Sequence, residues 1–213
     1  MGQKVNPILF RMSNVDSFSH SSSWYFKKKS EYSNAVVEDA LIRGYFRKIK
    51  QATFVASVGI ERKNSVIHVT VFVSRSSALV GKKSKGWESI IADLKKIVDK
   101  EVSINVVDIR NSDANAQIVA NNIAEQISKR VPYKKVIKTA MKTCMKAGAL
   151  GVKVLCSGRL NGAEIARSEK FQEGAMPLHK ISANVEYALG EAKTIYGIIG
   201  LKVYVCQKPT FFN

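Results

Sequence analysis

Acidic residues are scarce in this sequence. Its 213 residues include 17 Asp and Glu against 34 Lys and Arg, which leaves a formal net charge of +17 at pH 7. An excess of this size repels itself in the folded state, and a bound polyanion offsets that repulsion. Hydrophobic residues nevertheless make up 46% of the chain, which is too apolar for a disordered protein. The composition therefore predicts a folded protein with nucleic acid as its leading candidate partner.

Cysteine and long apolar runs are also scarce. Cys144, Cys156 and Cys206 are far apart, and an odd number of scattered cysteines is typical of a reducing compartment. Neither a Cys-x-x-Cys pair nor a histidine pair at ligand spacing occurs, so we expect no metal and no cofactor. The longest strongly apolar stretch, 194–201, falls short of the roughly 18 residues that span a bilayer. The N-terminal residues lack the apolar core of a secretory signal, so we expect an intracellular protein without a membrane segment.

Catalytic constellations are missing as well. The three histidines are scattered, and pairing with the more numerous lysines and arginines is the simplest role for the carboxylates. The stretch Gly81–Gly86 has the glycine spacing of a phosphate-binding P-loop, but Trp87 and Glu88 stand where that motif needs Lys and Ser or Thr. We therefore predict no catalytic residue. A nuclease or lyase that uses a reactive lysine is the enzymatic alternative.

Hydrophobic periodicity divides the chain near residue 111. Residues before about 33 are irregular and predict an N-terminal arm with a lead-in. The strand over 66–74 has the clearest pattern, with Val or Ile at every second position. The elements predicted for the first half are a helix over 36–49, strands over 53–61 and 66–74, a helical turn over 75–80, a helix over 87–99 and a strand over 102–110.

The second half predicts two helices followed by a sheet. One helix covers 114–128 with Ser112 or Asp113 as its cap, and the next extends from Pro132 to about 147. Strand-like segments follow over 152–157, 163–169, 181–189 and 200–206. This order predicts a second α+β domain with a mostly antiparallel sheet.

The helix after Pro132 has a segregated charge distribution. At about 100° per residue, its lysines fall within an arc of roughly 120°, opposite its apolar residues. We call these five residues the lysine stripe: Lys134, Lys135, Lys138, Lys142 and Lys146. Residues 129–153 contain eight basic side chains and no Asp or Glu, so no acid within the helix neutralises the stripe. A solvated surface is the plain alternative, but the absence of acids favours a surface that follows phosphates.

Several ordered motifs resemble known families. The predicted order of elements in the first half is similar to that of a type II KH domain, whose Gly-x-x-Gly loop clamps single-stranded nucleic acid. The loop residues here are Gly81, Lys82, Lys83, Ser84 and Lys85, with Ser84 in the place of the second glycine. Four further segments resemble the bacterial-type ribosomal protein S3 family of the small subunit: Met1–Ile8, Ser157–Arg167, Pro177–His179 and Tyr196–Val203. The resemblance implies an arm over 1–16, a type II KH domain over 17–110 (α-β-β-α-α-β) and a C-terminal domain over 111–213.

This family resemblance implies a structural protein in the head of the small ribosomal subunit, which binds rRNA and lines the mRNA entrance tunnel. Residues implied at the mRNA are Lys134, Lys135, Lys138, Lys142 and Arg130. Residues implied at the rRNA are Lys4, Arg11, Lys27, Lys28, Arg159 and Arg167.

The partners and location follow from the same resemblance. The implied protein neighbours are S10 and S14 in the head and S4 and S5 at the mRNA entrance, beside rRNA and mRNA themselves. The ribosome would be that of a bacterial cytoplasm, or the bacterial-type ribosome in the matrix or stroma of an organelle. A free-standing KH regulator that binds RNA away from the ribosome is the alternative from a different class.

Overall fold

The computed structural model describes residues 4–12, 21–49, 52–63, 66–77, 85–98 and 100–208. The chain divides into two compact units, Ser19–Arg110 and Asn111–Asn213 together with Met1–Phe18. The N-terminal residues, which the sequence predicts as a separate arm, therefore group with the second unit. Within the described ranges, no helix combines the length and apolar character needed to cross a membrane.

Helices and strands form two successive α+β arrangements along the chain. In chain order the elements are α1 (Pro7–Arg11), β1 (Ser22–Ser23), α2 (Lys29–Lys48), β2 (Val55–Lys63), β3 (Val66–Val73), α3 (Lys85–Val98), β4 (Val102–Asp108), α4 (Ala116–Ser128), α5 (Tyr133–Lys146), β5 (Gly151–Gly158), β6 (Arg167–Gly174), β7 (Val185–Thr194) and β8 (Gly197–Cys206). The predicted α+β fold class is confirmed.

The first unit is built on a four-stranded sheet in the order β1-β2-β3-β4. Strands β2 and β3 are antiparallel, whereas β1 is parallel to β2 and β4 is parallel to β3. Alternation along β3 buries every second residue, from Ile67 to Val73, as the sequence predicts. Ile42 of α2 and Leu94 of α3 join the same hydrophobic cluster, so both helices cover that face of the sheet.

Within the first unit, a buried ionic network joins the segment before α2 to α2 and β2. The Arg62 guanidinium, with a side chain 5% exposed, forms salt bridges with Glu38 and, at 2.6 Å, with Asp39. The second carboxylate oxygen of Asp39 accepts hydrogen bonds of 2.9 Å from Ser22 Oγ and from Trp24 Nε1. Burial alone lowers the pKa of Arg62, but the two carboxylates more than compensate and raise it above its ordinary value.

The second unit is built on an antiparallel four-stranded sheet in the order β6-β5-β8-β7. Helices α4 and α5 pack on one face, where Val154 and Val203 are fully buried. Strand β7 and α4 approach so closely that a Cβ added at Gly190 would lie 3.0 Å from the carbonyl oxygen of Ala120. The alternate residues of the four strands, such as Lys153 and Tyr204, lie on the other face of this sheet.

Several boundaries differ from the sequence prediction for local reasons. Helix α2 begins at Lys29, seven residues before the predicted start at 36. Periodicity missed its first turns because they are exposed and carry no apolar period. Asn115 caps α4, with its side-chain oxygen accepting from two backbone amides, whereas Ser112 and Asp113 lie in a 3₁₀ turn. Strand β6 begins only at Arg167, because a 3₁₀ turn and an exposed loop fill the residues before it.

Helix α1 was not predicted, and Arg11 fixes it to the second unit. Asn6 caps the helix by accepting a hydrogen bond of 2.9 Å from the Ile8 amide. The Arg11 side chain donates at 3.0–3.1 Å to the carbonyl oxygens of Pro177, Leu178 and Lys180. Arg11 is 1% exposed and its two terminal nitrogens donate within the fold, so its visible role is internal and the rRNA contact expected for it stays a prediction.

The Asp39 network gives a direct stability test. Asp39→Ala leaves the buried Arg62 charge short of a partner, so we expect the first unit to lose about 3–5 kcal/mol of stability. Both tryptophans, Trp24 and Trp87, belong to this unit, so urea unfolding followed by tryptophan fluorescence reports on it selectively. The control Glu61→Gln breaks the exposed pair with Lys63 and should cost less than about 1 kcal/mol. Equal losses in the two variants would contradict the network.

Candidate nucleic-acid interface

Helix α5 presents the lysine stripe on one exposed face. All five stripe lysines are exposed, and the buried side of the helix consists of Val136, Ile137, Met141 and Cys144 together with Tyr133. From Lys134 to Lys146 the stripe extends over roughly 18 Å of helix at the usual rise per residue. The structure therefore brings together the residues that sequence periodicity placed on one face.

Tyr133 anchors the first turn of α5 to the sheet. Its side chain is 4% exposed, and its hydroxyl donates a hydrogen bond of 3.0 Å to Glu169 Oε1 on β6. The ring also meets Phe171 edge to face, with 6.5 Å between centroids. Burial and the Glu169 carboxylate raise the pKa of Tyr133, so the hydroxyl stays a donor at neutral pH. The backbone that carries Lys134 and Lys135 is thus held on a rigid element.

The lysine stripe has no internal counter-charge. Among the residues that the structure describes, none of its five lysines has a carboxylate within the 4.0 Å of a salt bridge. The ammonium group of Lys134 lies 5.9 Å from the centre of the Tyr133 ring, a contact that keeps the positive charge. Glu125, on the preceding helix, pairs with Lys129 at 2.6 Å. The face is therefore cationic over its whole length.

Arg130 lies in the turn that leads into α5. It is exposed and adopts a left-handed backbone conformation, with φ of 64°. Its amide donates to the carbonyl oxygen of Ile127 at 2.9 Å, which closes the end of α4. The side chain remains available to a ligand at the N-terminal end of the lysine stripe.

The residues expected at rRNA have unequal environments. Lys4, Lys27, Lys28 and Arg167 are exposed, and Lys28 pairs with Glu31 at 3.4 Å. Arg159 differs from them because its Nε donates to the Ala163 carbonyl at 2.9 Å and its guanidinium lies over the Tyr196 ring. Much of the donor capacity of Arg159 is therefore used within the fold, which leaves a smaller part for RNA.

The predicted KH loop lies mostly outside the described residues. Gly81, Lys82, Lys83 and Ser84 belong to the undescribed segment, and of Lys85 only the backbone, at the start of α3, is described. Before the loop, Ser76 donates from its amide to Asp108 at 2.7 Å and from its hydroxyl at 3.0 Å. RNA contact by this loop stays a prediction.

The described residues contain no cluster of three or more His, Cys, Asp or Glu that could hold a metal. Cys144, Cys156 and Cys206 are buried free thiols, as their scarcity and spacing predict. Burial raises the pKa of Cys144 and of Cys156 to about 11, so both remain protonated at neutral pH.

Sequence reasoning missed two residues that the structure singles out. Lys153 and Tyr204 lie opposite each other on β5 and β8, on the face of the sheet away from α4 and α5. Strand alternation is the signal that would have found Lys153, because it stands between the inward residues Val152 and Val154.

Two family profiles match this chain in sequence order. Residues 41–114 match a KH domain, and residues 123–205 match the domain described as "Ribosomal protein S3, C-terminal domain". A KH module joined to this domain places the chain among ribosomal proteins with an RNA-binding fold.

Relatives of nearly the same length narrow the assignment. The chain is 39% identical over 203 residues to the small ribosomal subunit protein uS3 of Geotalea uraniireducens, covering 95% of each chain. It is 42% identical to uS3 of Parabacteroides distasonis, over 99% of this chain and 85% of that one. With uS3 of Methylacidiphilum infernorum it shares 42% identity, over 98% and 96% of the two chains. The chain belongs to the ribosomal protein S3 family, uS3, and the predicted family is confirmed.

The missing acids of the lysine stripe can be supplied by mutation. Thr139 is exposed between Lys135 and Lys142, so Thr139→Glu places a carboxylate four residues after one lysine and three before the other. We expect helix stability to rise by about 0.2–0.5 kcal/mol per pair formed. RNA binding should weaken, with the salt slope for single strands smaller by about 0.7 for each lysine neutralised.

Thermal unfolding by circular dichroism and anisotropy of a fluorescent single-stranded RNA at several salt concentrations measure the two effects. The uncharged control Thr139→Gln should leave the salt slope unchanged. Unaltered RNA affinity in Thr139→Glu would show that the stripe is only a solvated surface.

Proposed function

We propose that this protein is a structural constituent of the small ribosomal subunit and that its lysine stripe holds mRNA at the entrance tunnel. Family membership supports the first part, because its relatives are named small ribosomal subunit proteins. The observation that carries the second part is the exposed face of α5, where none of the five lysines forms a salt bridge with a carboxylate of the described residues. Lys134, Lys135, Lys138 and Lys142, with Arg130 beside them, form the mRNA contact.

The chemistry of the lysine stripe suits a template that moves. A lysine ammonium is a compact charge on a flexible stem, so it holds a phosphate of any nucleotide without the bidentate geometry of arginine. Phosphate contacts position a strand but carry no sequence information. A rigid helix with several such groups therefore grips successive phosphates, releases them easily as mRNA advances, and keeps separated strands apart. The proposed role requires no chemical step.

The remaining exposed basic residues supply the contacts to rRNA in this proposal. Lys27 and Lys28 act from the first unit, and Lys4 and Arg167 act from the second. The predicted KH loop adds backbone contacts to single-stranded RNA. The neighbouring proteins are S10 and S14 in the head and S4 and S5 at the mRNA entrance, within the ribosome of a bacterium or a bacterial-type organelle.

Loss of three stripe lysines tests the role in mRNA handling. Ribosomes that carry Lys134→Ala, Lys135→Ala and Lys138→Ala together should assemble normally but translate slowly through a stable mRNA hairpin. The physical reason is that three phosphate contacts are lost where the duplex must open. Single-ribosome elongation rates on a hairpin message, divided by those on an unstructured message, measure the effect.

Two matched variants complete that test. Arginine at the same three positions keeps the charge and should preserve passage through the hairpin. Alanine at Lys63, Lys95 and Lys96 removes three exposed lysines from the first unit and should leave the ratio of rates unchanged. Equal hairpin passage in the wild type and the stripe variant would refute the entrance role.

Membership of the subunit is tested by sedimentation. When lysate is centrifuged through sucrose at moderate and at high salt, the chain should travel with the small subunit in both. Extensive contacts resist the screening that releases a protein held by a few phosphates. Recovery of the chain at the top of the high-salt gradient would instead indicate a loosely attached RNA binder, as in the regulator alternative.

A further inference from the structure

The outer face of the second sheet carries lysines and paired tyrosines. Helices α4 and α5 cover the inner face, so alternate residues of the four strands point the other way. Register places Lys153 opposite Tyr204 and Tyr204 opposite Tyr187 in one row across the sheet. Lys170 and Lys202 stand in the neighbouring row, on either side of Leu155. Aromatic rings flanked by lysines are the usual chemistry of single-stranded RNA surfaces.

Lys153 has an unusual environment on this face. It is 7% exposed, and its ammonium group lies 5.4 Å from the centre of the Tyr204 ring. Within the described ranges it makes no salt bridge with any of the carboxylates. Burial lowers its pKa, and the positive charges of Lys170 and Lys4 lower it further. An anion bound beside Lys153, Lys170 and Lys4 would stabilise the positive charges of all three.

A cavity of about 260 Å³ opens beside these lysines. Its walls include Lys4, Phe10 of α1, Leu178, His179 and Tyr204, and Lys153 adjoins it through the Tyr204 ring. The Tyr204 and Tyr187 rings are 4.9 Å apart between centroids, so the aromatic surface continues from the cavity onto the sheet. The cavity is smaller than the roughly 300 Å³ at which pockets for drug-sized ligands begin, which fits a single planar base.

We propose that this cavity binds one unstacked nucleotide of RNA, with its base against Phe10 and Tyr204 and its phosphate among Lys4, Lys153 and Lys170. The aromatic walls offer the stacking surface that an extruded base needs. The lysines offer the positive charge that its phosphate needs, and Lys153 gains the counter-anion that the fold does not provide.

The proposed site deepens the rRNA contact proposed for Lys4 and shares no residue with the lysine stripe. The hairpin test on α5 can therefore fail while this site stands, and the reverse holds equally. An acidic peptide is the other class of ligand for the lysines, but its carboxylates would leave the aromatic walls unused. The observations therefore favour RNA, and the peptide is one outcome of the test.

Photo-cross-linking of the full chain locates the base directly. The probe is a 12-nucleotide single-stranded RNA with one 4-thiouridine, irradiated in complex and mapped by mass spectrometry. We expect cross-links on the peptides that contain Phe10 and Tyr204. Tyr204→Phe keeps the ring and should keep the cross-link, whereas Tyr204→Leu removes the stacking surface and should abolish it.

The phosphate half of the site is tested by salt dependence. Lys153→Met keeps the aliphatic volume and should reduce the salt slope of RNA binding by about 0.7, the value for one phosphate contact of a single strand. Exposed Lys170→Met should act in the same direction, so the result does not depend on the buried substitution alone. Lys193→Met, at the far end of β7, is the matched control and should leave the slope unchanged.

Several outcomes would overturn the proposal. One is cross-linking confined to residues 134–146, with the Lys153→Met slope equal to that of the wild type. Another is protection of Lys153 from acetylation by a hexaglutamate peptide but not by the RNA, which would assign the site to an acidic protein segment. A third is saturation by free adenosine monophosphate without competition from RNA, which would assign it to a free nucleotide.

Discussion

The shortage of acids is the constraint on which the rest of this structure depends. With 34 cationic side chains and 17 acidic ones, half of the cations are left over even when every acid pairs with one of them. The fold gives two of its buried cations internal acceptors: Arg62 faces two carboxylates, and Arg11 faces three distant backbone carbonyls. The lysines of α5 lie on the surface and form no salt bridge with any carboxylate in the described part of the chain. Each set of internal acceptors stabilises its own unit. The cationic side chains without such acceptors are left for a polyanion to bind.

The lysine stripe depends on a rigid support as well as on charge. Tyr133 reaches from α5 to Glu169 on β6, so the helix that carries the stripe is tied to the edge strand of the sheet. Its apolar side enters the same core as β5 and β8. Cationic groups on a fixed helix keep a constant spacing, whereas the ends of their side chains remain free to follow a moving strand. Lysine on a rigid support therefore combines positional order with weak, exchangeable contacts.

Sequence patterns predicted the features that local geometry controls. Alternation in β3 identified its buried face, because one side of that strand is in the core, and the helical period placed the α5 lysines together. Chain order and motifs were enough to predict the KH and S3 families. Three features escaped prediction, each because the local sequence pattern carries no signal for it. The exposed start of α2 has no apolar period. The backbone partners of Arg11 are 166–169 residues away in the sequence. Lys153 can be recognised as part of a site only once the strand register places it opposite Tyr204.

The docking of α1 onto residues 177–180 has a consequence for the order of folding during synthesis. Helix α1 is synthesised before residues 177–180, to which Arg11 donates hydrogen bonds, and the unit Ser19–Arg110 is made between them. Domains generally fold as units during translation. The intervening unit is free to fold early, whereas α1 has no docking partner until residues 177–180 have been synthesised. Each newly made molecule therefore passes through a stage in which α1 is exposed and its docking surface does not yet exist.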